Sequence, residues 1–110
     1  MKLPNADQAV IPSDKITGYL LSLTHPDGRD KAIFFMAFGF SPDDPVQLEV
    51  ALLRQAVSQE VVKSIASTFG VRYVIEGELQ SPDGRNPLVR SVWFIENDEE
   101  IPRLVTAYPL

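Results

Sequence analysis

Three observations predict an α+β fold with about three amino-terminal helices packed on a four-stranded antiparallel sheet. Apolar residues recur at helical spacing up to about residue 58, and from Val61 onward they alternate. The punctuation changes with them, from capping residues and Pro45 in the first half to tight-turn clusters such as SPDGRN in the second. The segments between the strands are short, and parallel pairing would need long crossovers. Helices first and strands afterwards is the α+β order. With 110 residues, 45% of them hydrophobic and 23% charged, the chain is expected to form a single domain over 1–110.

Residues 1–12, with Pro4 and Pro12, read as an extended lead-in. A first helix starts at Ser13, a plausible N-cap. Ile16, Tyr19, Leu20 and Leu23 fall at i, i+3, i+4 and i+7, and Gly18 weakens the segment. Pro26 and Gly28 interrupt it. A second helix then begins, with Asp27 able to cap and Asp30 favouring the positive end of the helix dipole. Its apolar residues run from Ala32 to Phe38 without a polar face, so it is expected to be central and buried nearly all round, with Ile33, Phe34 and Phe38 in the core beside Leu53, Val74 and Trp93. Gly39 is the stop. A third helix follows from Asp44-Pro45-Val46-Gln47, which combines an N-cap acid, a proline at the first helical position and a capping-box Gln. It is expected to reach about residue 58, with Val46, Val50, Leu53 and Val57 on its buried face.

Strands are expected at 61–67, 72–79, 88–95 and 103–108, all rich in β-branched and aromatic residues. The tetrapeptide PDGR occurs at 26–29 and again at 82–85, but Pro-Asp-Gly is what tight turns select, and no architectural repeat accompanies it.

Composition narrows the chemistry. With no cysteine and one histidine, disulfides, thiol nucleophiles and clustered-imidazole metal sites are excluded, so no metal and no cofactor is expected. Phosphate-loop, dinucleotide and serine-hydrolase motifs are absent. A net charge of -5 argues against tight non-specific nucleic-acid binding while leaving room for a local basic cleft. The longest apolar run, Ala32 to Phe40, is too short to span a bilayer and the amino terminus has no apolar signal core, so no membrane association and a cytoplasmic location are expected.

Catalysis would then run on carboxylates, hydroxyls, cations and His25. His25 lies just before a predicted helix start and is followed by Arg29 and Lys31, a combination that can hold a phosphate beside a group titrating near neutrality, or can simply form an exposed capped loop. Arg90 sits among Leu88, Val92 and Phe94 on one strand face, either aimed into a groove or paired with Glu76 or Glu78. Leu104, Thr106 and Tyr108 share a face by the period of two, available for packing or for a cleft. Asp43/Asp44, Glu76/Glu78 and Glu99/Glu100 read as cap, solvent-facing strand and turn.

The segments HPDGRDKAIFFMAFGF (25–40), GVRYVIEGEL (70–79), LVRSVWFI (88–95) and PRLVTAYP (102–109) resemble a family of small, functionally unassigned bacterial proteins often found as toxin-like partners of a tiny neighbouring gene. That family in turn resembles the barnase/EndoU/colicin/RelE group of metal-independent ribonucleases, which places helices before a four-stranded antiparallel sheet. The resemblance implies a toxin-like endoribonuclease of a toxin–antitoxin pair, acting on RNA and not DNA and restrained by a small antitoxin-like protein encoded nearby. It makes His25 the general acid or base, with Lys31 or Arg90 stabilising the phosphate, Thr106 and Tyr108 completing the cleft, and Arg29 and Arg103 binding substrate. The alternative is a non-catalytic module whose sheet face binds a small partner protein.

Overall fold

The computed structural model describes residues 1–110. Three helical segments precede four strands, as the change of hydrophobic period predicts. α1 is one turn, Ser13–Lys15, that continues directly into a π-helical turn, Ile16–Leu20; α2 is Arg29–Ala37 and α3 is Pro45–Ser58. β1 (Val61–Ala66), β2 (Gly70–Glu78), β3 (Leu88–Glu96) and β4 (Arg103–Pro109) form an antiparallel meander in the order β1-β2-β3-β4. The lead-in contains a 3-10 turn at Ala6–Gln8, and Val10 then bridges to Arg103, so the free edge of β4 is partly covered.

The helix stop at Gly39 and the helix start at Pro45 read as expected. Gly39 ends the α2 segment at φ 99, a conformation that costs glycine nothing, and Pro45 occupies the first turn of α3. Asp44 precedes α3 but its side chain makes no cap, so the expected capping box does not form. The two PDGR segments differ: Gly28 is helical at φ -91, whereas Gly84 is left-handed at φ 79.

Burial departs from the sequence expectation in the helices. In α3 the buried residues are Leu48, Ala51, Leu52, Gln55 and Ala56, while Val46 and Val57 are exposed. The helix carries two apolar stripes, and the one with small residues lets its backbone come close to the sheet. α2 is not central: only Ala32 and Phe35 are buried along it, Phe34 and Phe38 are half-buried, and Ile33 is 49% exposed. Leu23, expected on the first helix's apolar face, is also exposed because that helix ends at Leu20. Val74 and Trp93 are buried as expected.

All helices lie on one face of the sheet. Ile75, Val89, Ser91, Trp93, Leu104 and Ala107 point into this layer and are buried against Leu20, Phe35, Leu48 and Leu52. Gln55 completes the contact: its amide donates to the carbonyls of Gly77 and Val89 at 3.0 Å each, and its oxygen accepts from Ser91 Oγ at 2.7 Å. Ser91 Oγ in turn accepts from Trp93 Nε1 at 2.9 Å, so every polar group in this buried cluster is satisfied.

One irregularity positions the opposite face. Val92 pairs with Thr106 but Trp93 pairs with Leu104, which leaves Val105 as an extra residue in β4. The bulge resets the alternation. Leu104 goes inward and Thr106 and Tyr108 go outward, so the shared face expected for these three residues is split.

Candidate active site

The helix-free face of the sheet is a cleft of about 580 Å³ lined by Val62, Lys63 and Ile65 of β1, Arg72, Val74 and Glu76 of β2, Arg90 and Val92 of β3, and Val105, Thr106 and Tyr108 of β4. Its floor is apolar, because the β-branched residues that build the strands alternate onto both faces. Its polar centre is Arg90. The guanidinium donates from Nε to Glu76 Oε2 at 2.7 Å, lies 2.5 Å from the same oxygen through NH2, and donates from NH1 to Tyr108 Oη at 3.4 Å. Register explains the triad, since Glu76, Arg90 and Tyr108 are directly opposite one another on β2, β3 and β4. The Tyr108 hydroxyl and the Glu76 carboxylate hold the Arg90 pKa above its ordinary value by favouring the charged form. The side chains of Arg90 and Glu76 are 37% and 29% exposed, so a ligand in the cleft can reach them. Arg90 thus realises both readings open from sequence, pairing with Glu76 and facing a groove.

The amino-terminal helices reach this cleft at one point. Tyr19, in the π-helical turn, shares a hydrogen bond of 2.9 Å with Thr106 through its hydroxyl. The π-turn buries Ile16 and Leu20, anchoring the segment from which Tyr19 extends to Thr106; such turns recur at functional sites. The Tyr19 ring meets His25 edge to face, with centroids 5.0 Å apart, and the ammonium groups of Lys15 and Lys31 lie 5.4 and 5.3 Å from its centre. Gly28 makes this closeness possible, because a Cβ there would stand 2.1 Å from the Tyr19 carbonyl oxygen.

The His25 ring is held in place by its own loop. Its Nδ1 accepts from the backbone N–H groups of Asp27 and Gly28, both at 3.0 Å, which assigns the ring proton to Nε2. The imidazole thus takes the N–H groups of the turn just before α2, and Lys31 donates to the Asp27 carbonyl at 2.9 Å. The structure brings Arg90, Thr106 and Tyr108 into one cleft and links His25 and Lys31 to Thr106 only through Tyr19, since neither His25 nor Lys31 lines the cleft. It does not bring in Arg103, which pairs with Glu96 at 2.5 Å and does not line the cleft. Arg29 is exposed at the start of α2, outside the cleft lining.

Sequence reading gave no site role to three participants: Tyr19 read as part of an apolar helix face, and Lys63 and Arg72 fell inside expected strands. Glu76 was one of two partners open to Arg90, and the register selects it over Glu78.

Residues 2–110 match the family described as Domain of unknown function (DUF6883). The chain belongs to that family. Its fold is similar to that of a chain in a contact-dependent growth inhibition toxin–immunity protein complex from Klebsiella pneumoniae 342, with a TM-score of 0.74 and 16% identity over 94% of this chain and 95% of the other. No curated protein matches the chain. At that identity the likeness establishes a shared α+β fold for this DUF6883 member. No helix in it is long and apolar enough to cross a membrane.

Proposed function

We propose that this DUF6883 chain is a toxin-like endoribonuclease restrained by a small immunity-type protein, and that it cleaves RNA without a metal ion. The observation that carries the reading is the Glu76–Arg90–Tyr108 triad in an open cleft, connected through Thr106 to Tyr19 and His25. The fold likeness to a chain of a toxin–immunity complex supports the toxin-like role and the small partner.

The chemistry is internal transesterification. Arg90 binds the scissile phosphate and stabilises the charge that builds on its non-bridging oxygens. Glu76 takes the proton of the ribose 2′-OH as that oxygen bonds to phosphorus. Tyr108, whose oxygen accepts from Arg90, has its own proton available for the 5′-oxygen as the phosphorus–oxygen bond breaks. The products are a 2′,3′-cyclic phosphate and a free 5′-OH, and both protons return through solvent. His25 and Lys31 pack on the Tyr19 ring beyond Thr106 rather than lining the cleft, so they support the Tyr19–Thr106 contact and stand outside the contacts proposed for the scissile phosphate. Thr106 is a positioning residue that holds Tyr19.

The test is cleavage of labelled RNA by purified protein in EDTA, with product ends identified and DNA as control. RNA cut to cyclic phosphate ends, DNA left intact, and Glu76→Gln and Tyr108→Phe each slowing cleavage by about 10²–10⁴ are the expected results. Activity that appears only with added divalent ions, or full activity in Tyr108→Phe, would overturn the mechanism. Absence of cleavage under any condition would return the cleft to the non-catalytic reading, in which the same face binds a protein.

A further inference from the structure

The half of the cleft next to β1 contains two cations that the proposed reaction does not use. Lys63 and Arg72 both line it, and neither makes an ion pair or a side-chain hydrogen bond, in contrast to Arg90 and Arg103. Lys63 pairs with Val74 and Arg72 with Ile65, so both point to the helix-free face, and Glu76, already bound to Arg90, is the lone acid of the lining. In a chain of net charge -5 this is a local reversal of sign, and an anion is the ligand it suits. The floor between these cations and Arg90 is Val62, Ile65, Val74 and Val92.

Resting on the ribonuclease reading, we infer that Lys63 and Arg72 form a second phosphate-binding subsite, and that it accepts a single-stranded RNA segment flanking the scissile bond. Cations set beside an apolar floor match the two surfaces of an unpaired strand, its phosphates and its exposed base faces. A duplex presents phosphates and 2′-hydroxyls but keeps its base faces stacked inside. An acidic protein surface would also cover the cations and the floor, and the ribonuclease reading is what favours RNA over it.

The test reads binding apart from cleavage. A fully 2′-O-methylated, fluorescently labelled oligonucleotide of about twelve nucleotides has no nucleophile, so anisotropy reports affinity whether or not the enzyme cuts. Lys63→Gln/Arg72→Gln should weaken its binding by tenfold or more and reduce the slope of log affinity against log salt by about 1.4, the value for two phosphate contacts on a single strand. Arg54→Gln, which removes a charge on α3 behind the sheet, should change neither. With cleavable RNA the double variant should raise KM and leave kcat within about twofold, while a dinucleotide substrate should be unaffected. Circular dichroism and Trp93 fluorescence check that the variants are folded.

Wild-type affinity and salt slope in the double variant would overturn the subsite and leave the ribonuclease reading standing. Equal affinity for duplex and single strand would overturn the choice of ligand. A wild-type protein that binds no RNA would overturn both, and would point to an acidic protein as the occupant. Binding that depends on Lys63 and Arg72 without any cleavage would sustain the subsite and overturn the reaction.

Discussion

Ser91→Ala removes a single oxygen atom from the layer between helices and sheet, and its cost can be worked from the contacts. Ser91 and Trp93 are fully buried and Gln55 is 2% exposed, so water does not reach the gap. The substitution leaves Trp93 Nε1–H without its acceptor at 2.9 Å and Gln55 Oε1 without its donor at 2.7 Å. Each orphaned group costs about 1–3 kcal/mol, and removing the buried hydroxyl recovers part of this, so a net loss of about 2–4 kcal/mol is expected. That is a large share of the roughly 5–15 kcal/mol that holds a domain together. Trp93 is the sole tryptophan and reports directly on the site, so urea unfolding followed by its emission is the assay. With a slope near 2 kcal/mol per molar, the midpoint should fall by about 1–2 M. Ser64→Ala on exposed β1 is the control and should stay within about 0.5 kcal/mol. Pairing Ser91→Ala with Gln55→Leu should cost less than the sum of the two, by about 1–3 kcal/mol, because the carbonyl that Ser91→Ala would orphan is then also gone. A Ser91→Ala midpoint matching that of Ser64→Ala would refute the argument that this network ties α3 to β2 and β3.

Two further outcomes follow from other parts of the molecule. Gly28→Ala should destabilise by about 1–3 kcal/mol because its Cβ meets the Tyr19 carbonyl, although the ordinary φ of -91 admits alanine; a stabilised variant in thermal melts would show that α2 does not pack on the π-turn. The Asp83 carboxyl is held down to about 2 by the Ser81 hydroxyl, with the Arg85 backbone N–H and guanidinium adding to it. A depressed carboxylate contributes stability above its unfolded pKa, near 3.8, and loses that contribution as pH falls through about 2. The melting-temperature gap between wild type and Asp83→Asn should therefore be constant from about pH 7 to 5 and close toward about pH 2; a gap that widens in acid would reverse the assignment.

Local rules carried far where a feature depends on neighbours in the chain. The four strands, the Gly39 stop and the Pro45 start are legible because alternation, positive φ and a missing N–H act over a few residues. The buried face of α3 was not, since Val46/Val50/Leu53/Val57 and Leu48/Ala51/Leu52/Gln55/Ala56 are both plausible stripes. Close approach to the sheet and the carbonyls of Gly77 and Val89 selected the second, and a buried Gln has value only where those carbonyls stand. The same limit applied to α2, whose all-apolar run is half uncovered because the sheet has room for one of its sides.

The site divides in the same way. His25 stood out as the sole histidine, Arg90 as a guanidinium among apolar strand neighbours and Thr106 and Tyr108 by the period of two, and the family resemblance implied their roles. Their arrangement was decided by a bulge at Val105 that turns Thr106 and Tyr108 away from Leu104, by a π-turn that sends Tyr19 across to Thr106 over 87 residues of sequence, and by the register that sets Glu76 opposite Arg90. Each of these is a pairing energy between distant segments. A chain read residue by residue holds the groups, and only the assembled sheet determines which of them meet.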